Sequence, residues 1–213
     1  MGMDSLSRHE DYGQASLRET DMVDDPLAQL AVWLVDAEQA EIYEPNAFVL
    51  GTIDSAGRPT ARTVLLNGLD SGLLFATNYL SRKGDAIGGG SDVTAVFGWY
   101  SMYRQVIIEG HAERVSVTES DDYFDSRPRG SQLAAWASEQ SRPIESRDAL
   151  DQQYEDTDQR FANDDVVPRP EHWGGYRIVP TRMEFWKGRS NRMHDRIAFE
   201  RVGDDWNVTR LQP

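Results

Sequence analysis

The sequence predicts an α+β fold dominated by strands, in which a small antiparallel barrel carries peripheral helices. Two observations support this. Apolar residues follow strand-like patterns from residue 47 to 115 and again after residue 175, with hairpin-type turns between them. Helical patterns are confined to the start of the chain and to residues 118–161. The helices are therefore inserted into a run of strands and do not alternate with them.

The first helix is expected to begin at Pro26, because Asp25 suits the N-cap and proline suits the first helical position. It should run to about Ile42. Its apolar face comprises Leu27, Leu30, Ala31, Leu34 and Ala37. Residues 1–25 are polar and acidic, which predicts a flexible N-terminal arm, and residues 26–213 are expected to form a single domain.

The strands are separated by turns at Asp54–Gly57 and Asp70–Gly72. The expected strands are Ala47–Ile53, Pro59–Leu66, Leu73–Thr77, Val93–Trp99, Arg104–Val115, Tyr176–Val179, Arg182–Trp186, Arg196–Arg201 and Trp206–Leu211. Two or three helices are expected between Thr118 and Phe161. The Gly88–Gly90 run is expected to be a loop without a phosphate-binding role, since no helix start follows it.

Composition excludes several classes of site. The 213 residues include no cysteine, so disulfides, thiolate metal sites and cysteine nucleophiles are excluded. The four histidines lack ligand-like spacing, and we expect no metal. A net charge of −14 argues against binding to nucleic acid or to anionic membranes. No apolar run approaches the roughly 18 residues of a membrane span. The N-terminus resembles no targeting signal, so a cytoplasmic protein is expected.

Two stretches are rich in groups that bind anions. Arg62 stands in an apolar strand, where a guanidinium is costly unless it meets an anion, and Ser81-Arg82-Lys83 offers three donor types suited to phosphate. In the second stretch, Tyr123 and Arg127 share a helix face, Pro128 ends that helix, and Ser131 is expected to open the next one. The alternatives are a solvated helix start and a helix joint whose arginines cap carbonyls.

A third stretch combines flat and cationic groups in a glycine turn between two strands. It contains Trp186, Arg192, His194 and Arg196. An aromatic ring beside guanidinium and imidazole groups suits a planar, electron-poor ring system. A polar hairpin without a binding role is the alternative.

Several longer motifs occur along the chain. In chain order they are Arg62-x-Val-Leu-Leu66, Thr77-Asn-x-x-Ser-Arg-Lys83, Arg104-Gln-Val106, Tyr123-Phe-x-Ser-Arg-Pro-Arg-x-Ser-Gln132, Trp136-Ala-Ser-x-Gln-Ser141, Trp173-Gly-Gly175, Glu184-Phe-Trp186, Arg192-Met-His-Asp-Arg196 and the ending Trp206…Arg210-Leu-Gln-Pro213. Together these motifs resemble the pyridoxine 5′-phosphate oxidase family. The resemblance covers Pro26 to Pro213. It implies a split antiparallel β-barrel, a homodimer with flavin mononucleotide (FMN) at the interface, and oxidation of a phosphorylated B6 vitamer by dioxygen with release of hydrogen peroxide.

The resemblance also implies roles for individual residues. The positions that match the FMN site are Arg62, Thr77, Arg82, Lys83, Gln105, Gln140, Ser141, Trp186 and Arg196. Of these, Arg62, Arg82 and Lys83 would face the FMN phosphate, while the glutamines and Trp186 would address the ring. The positions that match the substrate-phosphate site are Tyr123, Arg127 and Ser131. Arg192 and His194 match the pair near the reacting carbon, with roles in positioning and polarising its substituent.

Two positions depart from the family pattern. Asn67 stands where the family has a lysine that helps to hold the substrate phosphate, and Ala76 replaces a bulkier or aromatic residue. An amide donates a hydrogen bond but brings no charge. The departures leave two alternatives open: a related FMN-dependent oxidase of the phenazine-biosynthesis type, and a non-catalytic protein that binds flavin or pyridoxal phosphate.

Overall fold

Nine strands and five α-helices are present in the part of the chain that the computed structural model describes, residues 11–90 and 92–213. The helices are α1 (Pro26–Gln39), α2 (Arg82–Gly88), α3 (Val117–Ser126), α4 (Arg129–Ala137) and α5 (Arg147–Arg160). The strands are β1 (Ala47–Ile53), β2 (Pro59–Leu65), β3 (Gly68–Leu69), β4 (Leu73–Asn78), β5 (Asp92–Trp99), β6 (Arg104–Arg114), β7 (Trp173–Lys187), β8 (Asp195–Val202) and β9 (Asp205–Leu211). The α+β class dominated by strands is confirmed.

The strands form one sheet in the order β2-β1-β5-β6-β7-β4-β3, and β8 pairs with both β7 and β9. β4 runs antiparallel to the first half of β7, and β8 runs antiparallel to its second half. The two strands expected at Tyr176–Val179 and Arg182–Trp186 are therefore one strand. Pro180, which cannot donate a ladder hydrogen bond, lies between the residues that pair with β4 and those that pair with β8.

α1 begins as expected and ends early. The Asp25 side chain accepts a hydrogen bond from the Leu27 backbone N–H at 3.0 Å, and Pro26 is the first helical residue. The helix ends at Gln39, short of Ile42, because Glu41 adopts a left-handed conformation with φ of 53° that a helix cannot continue through. No described helix is long and apolar enough to cross a membrane.

The chain divides into two compact units. Of the described residues, the first comprises residues 11–48 together with Ala95–Glu109 and Pro180–Pro213. Its core is aromatic: the Trp33 ring meets Phe185 edge to face at 5.1 Å and Trp99 at 6.3 Å. Within this unit, Leu17 is buried and its backbone N–H donates to Asp195 at 2.9 Å. Residues 1–10 of the expected arm lie outside the described residues, and the arm's flexibility stays a prediction, as does the single domain over 26–213.

The second unit comprises Val49–Thr94 and Gly110–Val179. Beneath its helices lies an apolar cluster of Phe124, Leu133, Ala135, Phe161, Val167 and Trp173. Helix α3 supplies Phe124, α4 supplies Leu133 and Ala135, and Phe161 is the C-cap of α5. The three helices α3 to α5 agree with the two or three expected. The cluster positions the joint between α3 and α4, where the candidate phosphate-binding residues lie.

Candidate active site

Arg62 on β2 carries a positive charge that no described carboxylate contacts. Its Nη1 donates to the Thr52 hydroxyl at 2.7 Å and to a backbone carbonyl at 3.1 Å, and its Nη2 donates to the Thr60 hydroxyl at 2.6 Å. Burial, together with the charge of Arg82, lowers the pKa of Arg62. Neutral oxygens thus fix the guanidinium in place while its charge stays available to an anion.

Lys83 lies close to Arg62 in the first turn of α2, which the Ser81 hydroxyl caps by accepting from the Gly84 N–H at 3.3 Å. The Lys83 ammonium donates to the Thr77 hydroxyl at 3.0 Å and to the Gln140 side-chain oxygen. Both partners are neutral. Burial, and then the charge of Arg62, lower the pKa of Lys83 to about 8. The cluster is a cationic site that a phosphate fits.

Two further residues expected at this site lie at its edge. The Arg82 side chain is 58% exposed, and its Nη2 lies 3.4 Å from the Asp54 carboxylate. Ser141 follows Gln140 directly and has a left-handed backbone with φ of 73°. Arg82 is therefore screened by solvent and partly neutralised, whereas Arg62 and Lys83 are not.

Arg127 is a second cation without a described carboxylate partner. Its guanidinium carbon lies 4.4 Å from the centre of the Trp173 ring, and the Tyr123 ring stacks on the same tryptophan at 6.1 Å with a 7° interplanar angle. Burial lowers the pKa of Arg127, and its Nη1 is buried without a hydrogen-bond partner. A buried donor of this kind is costly unless a ligand accepts from it.

The helix joint around Arg127 differs slightly from expectation. α3 ends at Ser126, so Arg127 is its C-cap, and α4 begins at Arg129. Ser131 therefore does not open α4 but lies in its first turn, where its backbone N–H donates to the Pro128 carbonyl at 2.8 Å. The Arg129 guanidinium donates to the Phe161 carbonyl at 2.6 Å, a role that closes the joint.

A cavity of about 350 Å³ opens beside Tyr123. Both departures from the family pattern, Asn67 and Ala76, line it, together with Phe75 and Gly175. The small Ala76 side chain leaves space there, and the Asn67 amide is exposed. Both departures from the family pattern therefore change the lining of the same cavity.

The turn between β7 and β8 carries the candidate catalytic pair. Asn191 and Arg192 are both left-handed, with φ of 57° and 60°, a conformation that costs energy for residues other than glycine. The His194 ring lies 4.8 Å from the Trp186 ring, and its Nδ1 accepts from the Arg189 backbone N–H at 3.1 Å. That bond assigns the proton of neutral His194 to Nε2. Burial, and then Arg192, lower the pKa of His194.

Arg196 is directly opposite Trp186 in the β7–β8 ladder. Its Nε donates to Glu184 at 2.7 Å, and its Nη1 donates to the Gln212 carbonyl at 3.0 Å. Gln105, the remaining expected cofactor residue, is part-buried on β6.

The expected cofactor residues thus fall into two groups. Arg62, Thr77, Lys83 and Gln140 gather in the second unit, and Trp186 pairs with Arg196 in the first.

Comparison with known proteins identifies the family. Residues 34–161 match the model of pyridoxamine 5′-phosphate oxidase, and residues 173–213 match the pyridoxine 5′-phosphate oxidase C-terminal dimerisation region. The chain belongs to the pyridoxamine 5′-phosphate oxidase family.

Relatives extend this match to nearly the whole chain. The pyridoxine/pyridoxamine 5′-phosphate oxidase of Cyanothece sp. is 49% identical over 205 residues, which cover 96% of each chain. That of Cupriavidus necator is 48% identical over 95% of each chain. Among solved structures, PhzG from Burkholderia lata in complex with tetrahydrophenazine-1-carboxylic acid is 32% identical, with a TM-score of 0.88, and covers 95% of this chain and 100% of its own. The expected split-barrel fold is confirmed.

Two site residues of this family member were not predicted from the sequence. Trp173, the platform for Arg127, and Glu184, the partner of Arg196, stood in the quoted motifs without an assigned role. The signal for Glu184 was the alternation of strand β7, which places Arg182, Glu184 and Trp186 on one face. Among the described residues, no three histidine or acidic side chains come together in a way that could hold a metal ion.

Proposed function

We propose that this chain is an FMN-dependent oxidase that converts pyridoxamine or pyridoxine 5′-phosphate to pyridoxal 5′-phosphate, with dioxygen as acceptor and hydrogen peroxide as product. The observation that carries the substrate assignment is Arg127. Its buried Nη1 lacks a partner, no described carboxylate offsets its charge, and it lies with Tyr123 on the Trp173 ring. A phosphate would satisfy both the charge and the donor, with Ser131 as a further donor. The names of the close relatives support the same substrate.

The cofactor phosphate would bind at Arg62 and Lys83, whose present partners are hydroxyl, amide and carbonyl oxygens. Arg82 would add a weaker, solvent-screened contact. No ion pair between Arg62 or Lys83 and a described acidic residue has to break when a phosphate arrives. In this proposal Gln105, Gln140, Ser141, Trp186 and Arg196 address the rest of the flavin.

The redox chemistry supplied by bound FMN is two-electron oxidation of the substrate C4′ carbon, with dioxygen as the final acceptor. The protein orients the substrate and polarises its substituent. His194 is held as the Nε2–H tautomer with a lowered pKa, so it donates a hydrogen bond to the C4′ oxygen or nitrogen. Arg192, held in a left-handed turn, supplies positive charge at the same position.

The proposal includes a homodimer with FMN at the subunit interface. The match of residues 173–213 to the family's dimerisation region supports it, because this segment carries Trp186, Arg192, His194 and Arg196. A cytoplasmic location stays a prediction.

The experiment that tests the proposal begins with the visible spectrum of the purified protein. Pyridoxine 5′-phosphate is then added in air while peroxide and aldehyde are followed. A yellow protein that forms both products supports the proposal. A yellow protein that leaves this substrate and pyridoxamine 5′-phosphate unchanged would move the function to another oxidase or to a flavin-binding protein without turnover. A protein that takes up no FMN would refute the cofactor assignment.

A second candidate is a related oxidase of the phenazine-biosynthesis type. The observations that favour it are the similarity to PhzG, solved with tetrahydrophenazine-1-carboxylic acid, and the neutral Asn67 beside a cavity widened at Ala76. The retained set of Tyr123, Arg127 and Ser131 favours the B6 substrate. Turnover of tetrahydrophenazine-1-carboxylic acid without turnover of pyridoxine 5′-phosphate would decide for this alternative.

Replacing Asn67 with lysine tests how the phosphate is held. We expect Asn67→Lys to raise kcat/KM for pyridoxine 5′-phosphate by about 5- to 30-fold, since a charge-assisted bond replaces a neutral one. The gain should appear mainly as a lower KM. Asn67→Leu is the matched control of similar size without a donor and should lose activity. An unchanged KM in Asn67→Lys would place the phosphate away from position 67.

The affinity for FMN should depend on pH through Lys83. Its pKa is lowered to about 8 in the free protein, and a bound phosphate favours the charged form. Below pH 8 the ammonium is already present, and the dissociation constant should be nearly constant down to about pH 6, where the phosphate itself protonates. Above pH 8 binding requires proton uptake, so the dissociation constant should rise up to about tenfold per pH unit. The dissociation constant at each pH is measured by fluorescence titration of FMN with the apoprotein.

The control for this pH dependence is Lys83→Arg, which stays protonated across the range. Its dissociation constant should not rise between pH 8 and 9.5. An equal rise in the wild type and in Lys83→Arg would assign the titration to another group.

A further inference from the structure

Glu184 is a buried carboxylate between two arginines. Its side chain is 4% exposed; one oxygen accepts from Arg196 Nε at 2.7 Å, and the other accepts from Arg182 Nη2 at 2.7 Å. Burial opposes its ionisation, but the hydrogen bonds from Arg196 and Arg182 outweigh burial and lower its pKa. A charged carboxylate in this place therefore has a fixed geometry and little solvent to screen it.

The sheet explains how Glu184 reaches Arg196. Glu184 and Trp186 lie two residues apart on β7 and so share one face, and Arg196 is the cross-strand partner of Trp186. Glu184 is thus diagonal to Arg196, within reach of a long side chain. The same face of the sheet therefore carries the Trp186 ring, the Arg196 guanidinium and the Glu184 carboxylate that binds this guanidinium.

The bonds of Arg196 leave one nitrogen of its guanidinium, Nη2, available. Nε is bound to Glu184 and Nη1 to the Gln212 carbonyl, while Nη2 has no hydrogen-bond partner among the described residues. Two fixed contacts, one at Nε and one at Nη1, set the plane and direction of the whole group, because the guanidinium is rigid. Nη2 is consequently the donor that Arg196 presents to a ligand.

We propose that Glu184 is a positioning residue that fixes Arg196 for the flavin ring and offsets part of its charge there. This inference rests on the proposed function, since it takes Arg196 as a flavin contact. Without Glu184, Arg196 loses its Nε anchor and must be ordered by the ligand, which weakens FMN binding. The carboxylate also reduces the positive potential beside the ring, which disfavours the anionic reduced flavin.

The test compares Glu184→Gln with Glu109→Gln. Each removes one carboxylate bound to Arg182, but only Glu184 also binds Arg196; Glu109 contacts Arg182 Nη1 at 2.8 Å. We expect Glu184→Gln to raise the dissociation constant for FMN about tenfold, the loss of roughly one charge-assisted bond, and Glu109→Gln to change it less than twofold. The midpoint potential of bound FMN should become more positive in Glu184→Gln only.

A double variant separates positioning from general stability. In an Arg196→Met background, Glu184→Gln should change the dissociation constant less than twofold, because the residue through which it acts is gone. A full tenfold effect in that background, or equal effects of Glu109→Gln and Glu184→Gln, would overturn the inference. The melting temperature of the apoprotein monitors folding in each variant. If the wild type binds no FMN, the proposed function is refuted. If the wild type binds FMN and Glu184→Gln has the same dissociation constant, only the positioning role of Glu184 is refuted.

Discussion

Replacement of Arg127 by methionine is expected to lower kcat/KM for pyridoxine 5′-phosphate by about 100- to 1,000-fold, mostly through KM. The variant removes the buried guanidinium that we assign to the substrate phosphate, and loss of such a charge-assisted partner costs about 3–4 kcal/mol. Affinity for FMN should be unchanged. The melting temperature of the apoprotein should stay the same or rise, because methionine leaves no orphaned donor such as Nη1 beside Trp173. Steady-state kinetics and thermal unfolding measure the two effects.

Arg129→Met is the matched control at the same helix joint. Arg129 donates to the backbone carbonyls of Phe161 and Asp164, so its loss should lower the melting temperature. It should leave kcat/KM within a few-fold of the wild type. The assignment of Arg127 is wrong if Arg127→Met destabilises the protein and Arg129→Met loses as much activity.

Replacement of Lys83 by methionine is expected to raise the dissociation constant for FMN by about 100-fold. A single charge-assisted contact with a phosphate in a partly desolvated site contributes about 1.5–3 kcal/mol, and Lys83 has no described acidic partner that would be left unpaired. The protein should fold, since only neutral groups lose a donor, namely the side chains of Thr77, Ser81 and Gln140. Fluorescence titration of the apoprotein gives the dissociation constant.

Arg82→Met provides the comparison for Lys83→Met. Both residues lie in the first turn of α2, but the Arg82 side chain is mostly exposed and already near Asp54. We expect its loss to raise the dissociation constant less than tenfold. Equal effects of the two variants would mean that the phosphate lies farther out, toward solvent, than the buried cluster around Arg62.

The sequence predicted the strand pattern well, because strand formation depends on local rules. The residues that it named for the site stay predictions. Period-two alternation located most strands to within two residues, and an arginine in an apolar strand signalled an anion. The sequence analysis missed the long strand β7, because a proline such as Pro180 locally indicates the end of a strand. The structure tolerates Pro180 because β7 pairs with β4 before this residue and with β8 after it.

Long-range geometry accounts for what the sequence could not predict. Nothing local indicates that Arg127 lies on Trp173, 46 positions later, or that Asn67, Ala76 and Tyr123 line one cavity. The tautomer of His194 likewise depends on a backbone N–H in the turn, a contact that the residue types alone do not specify. The assigned roles of the site residues stay predictions until the variants are measured.

Arg62 and Lys83 are bound only by neutral described groups and keep their charge, which also affects the rate at which an anion associates with the protein. The whole chain carries a net charge of −14, so a phosphorylated ligand is repelled at long range and attracted only near these two cations. The Debye length is about 8 Å at physiological ionic strength. Added salt therefore lowers the outer barrier to encounter more than it weakens the partly buried contact. Unlike most proteins that bind phosphates through arginine and lysine, this one should associate with its cofactor faster, not slower, as ionic strength increases.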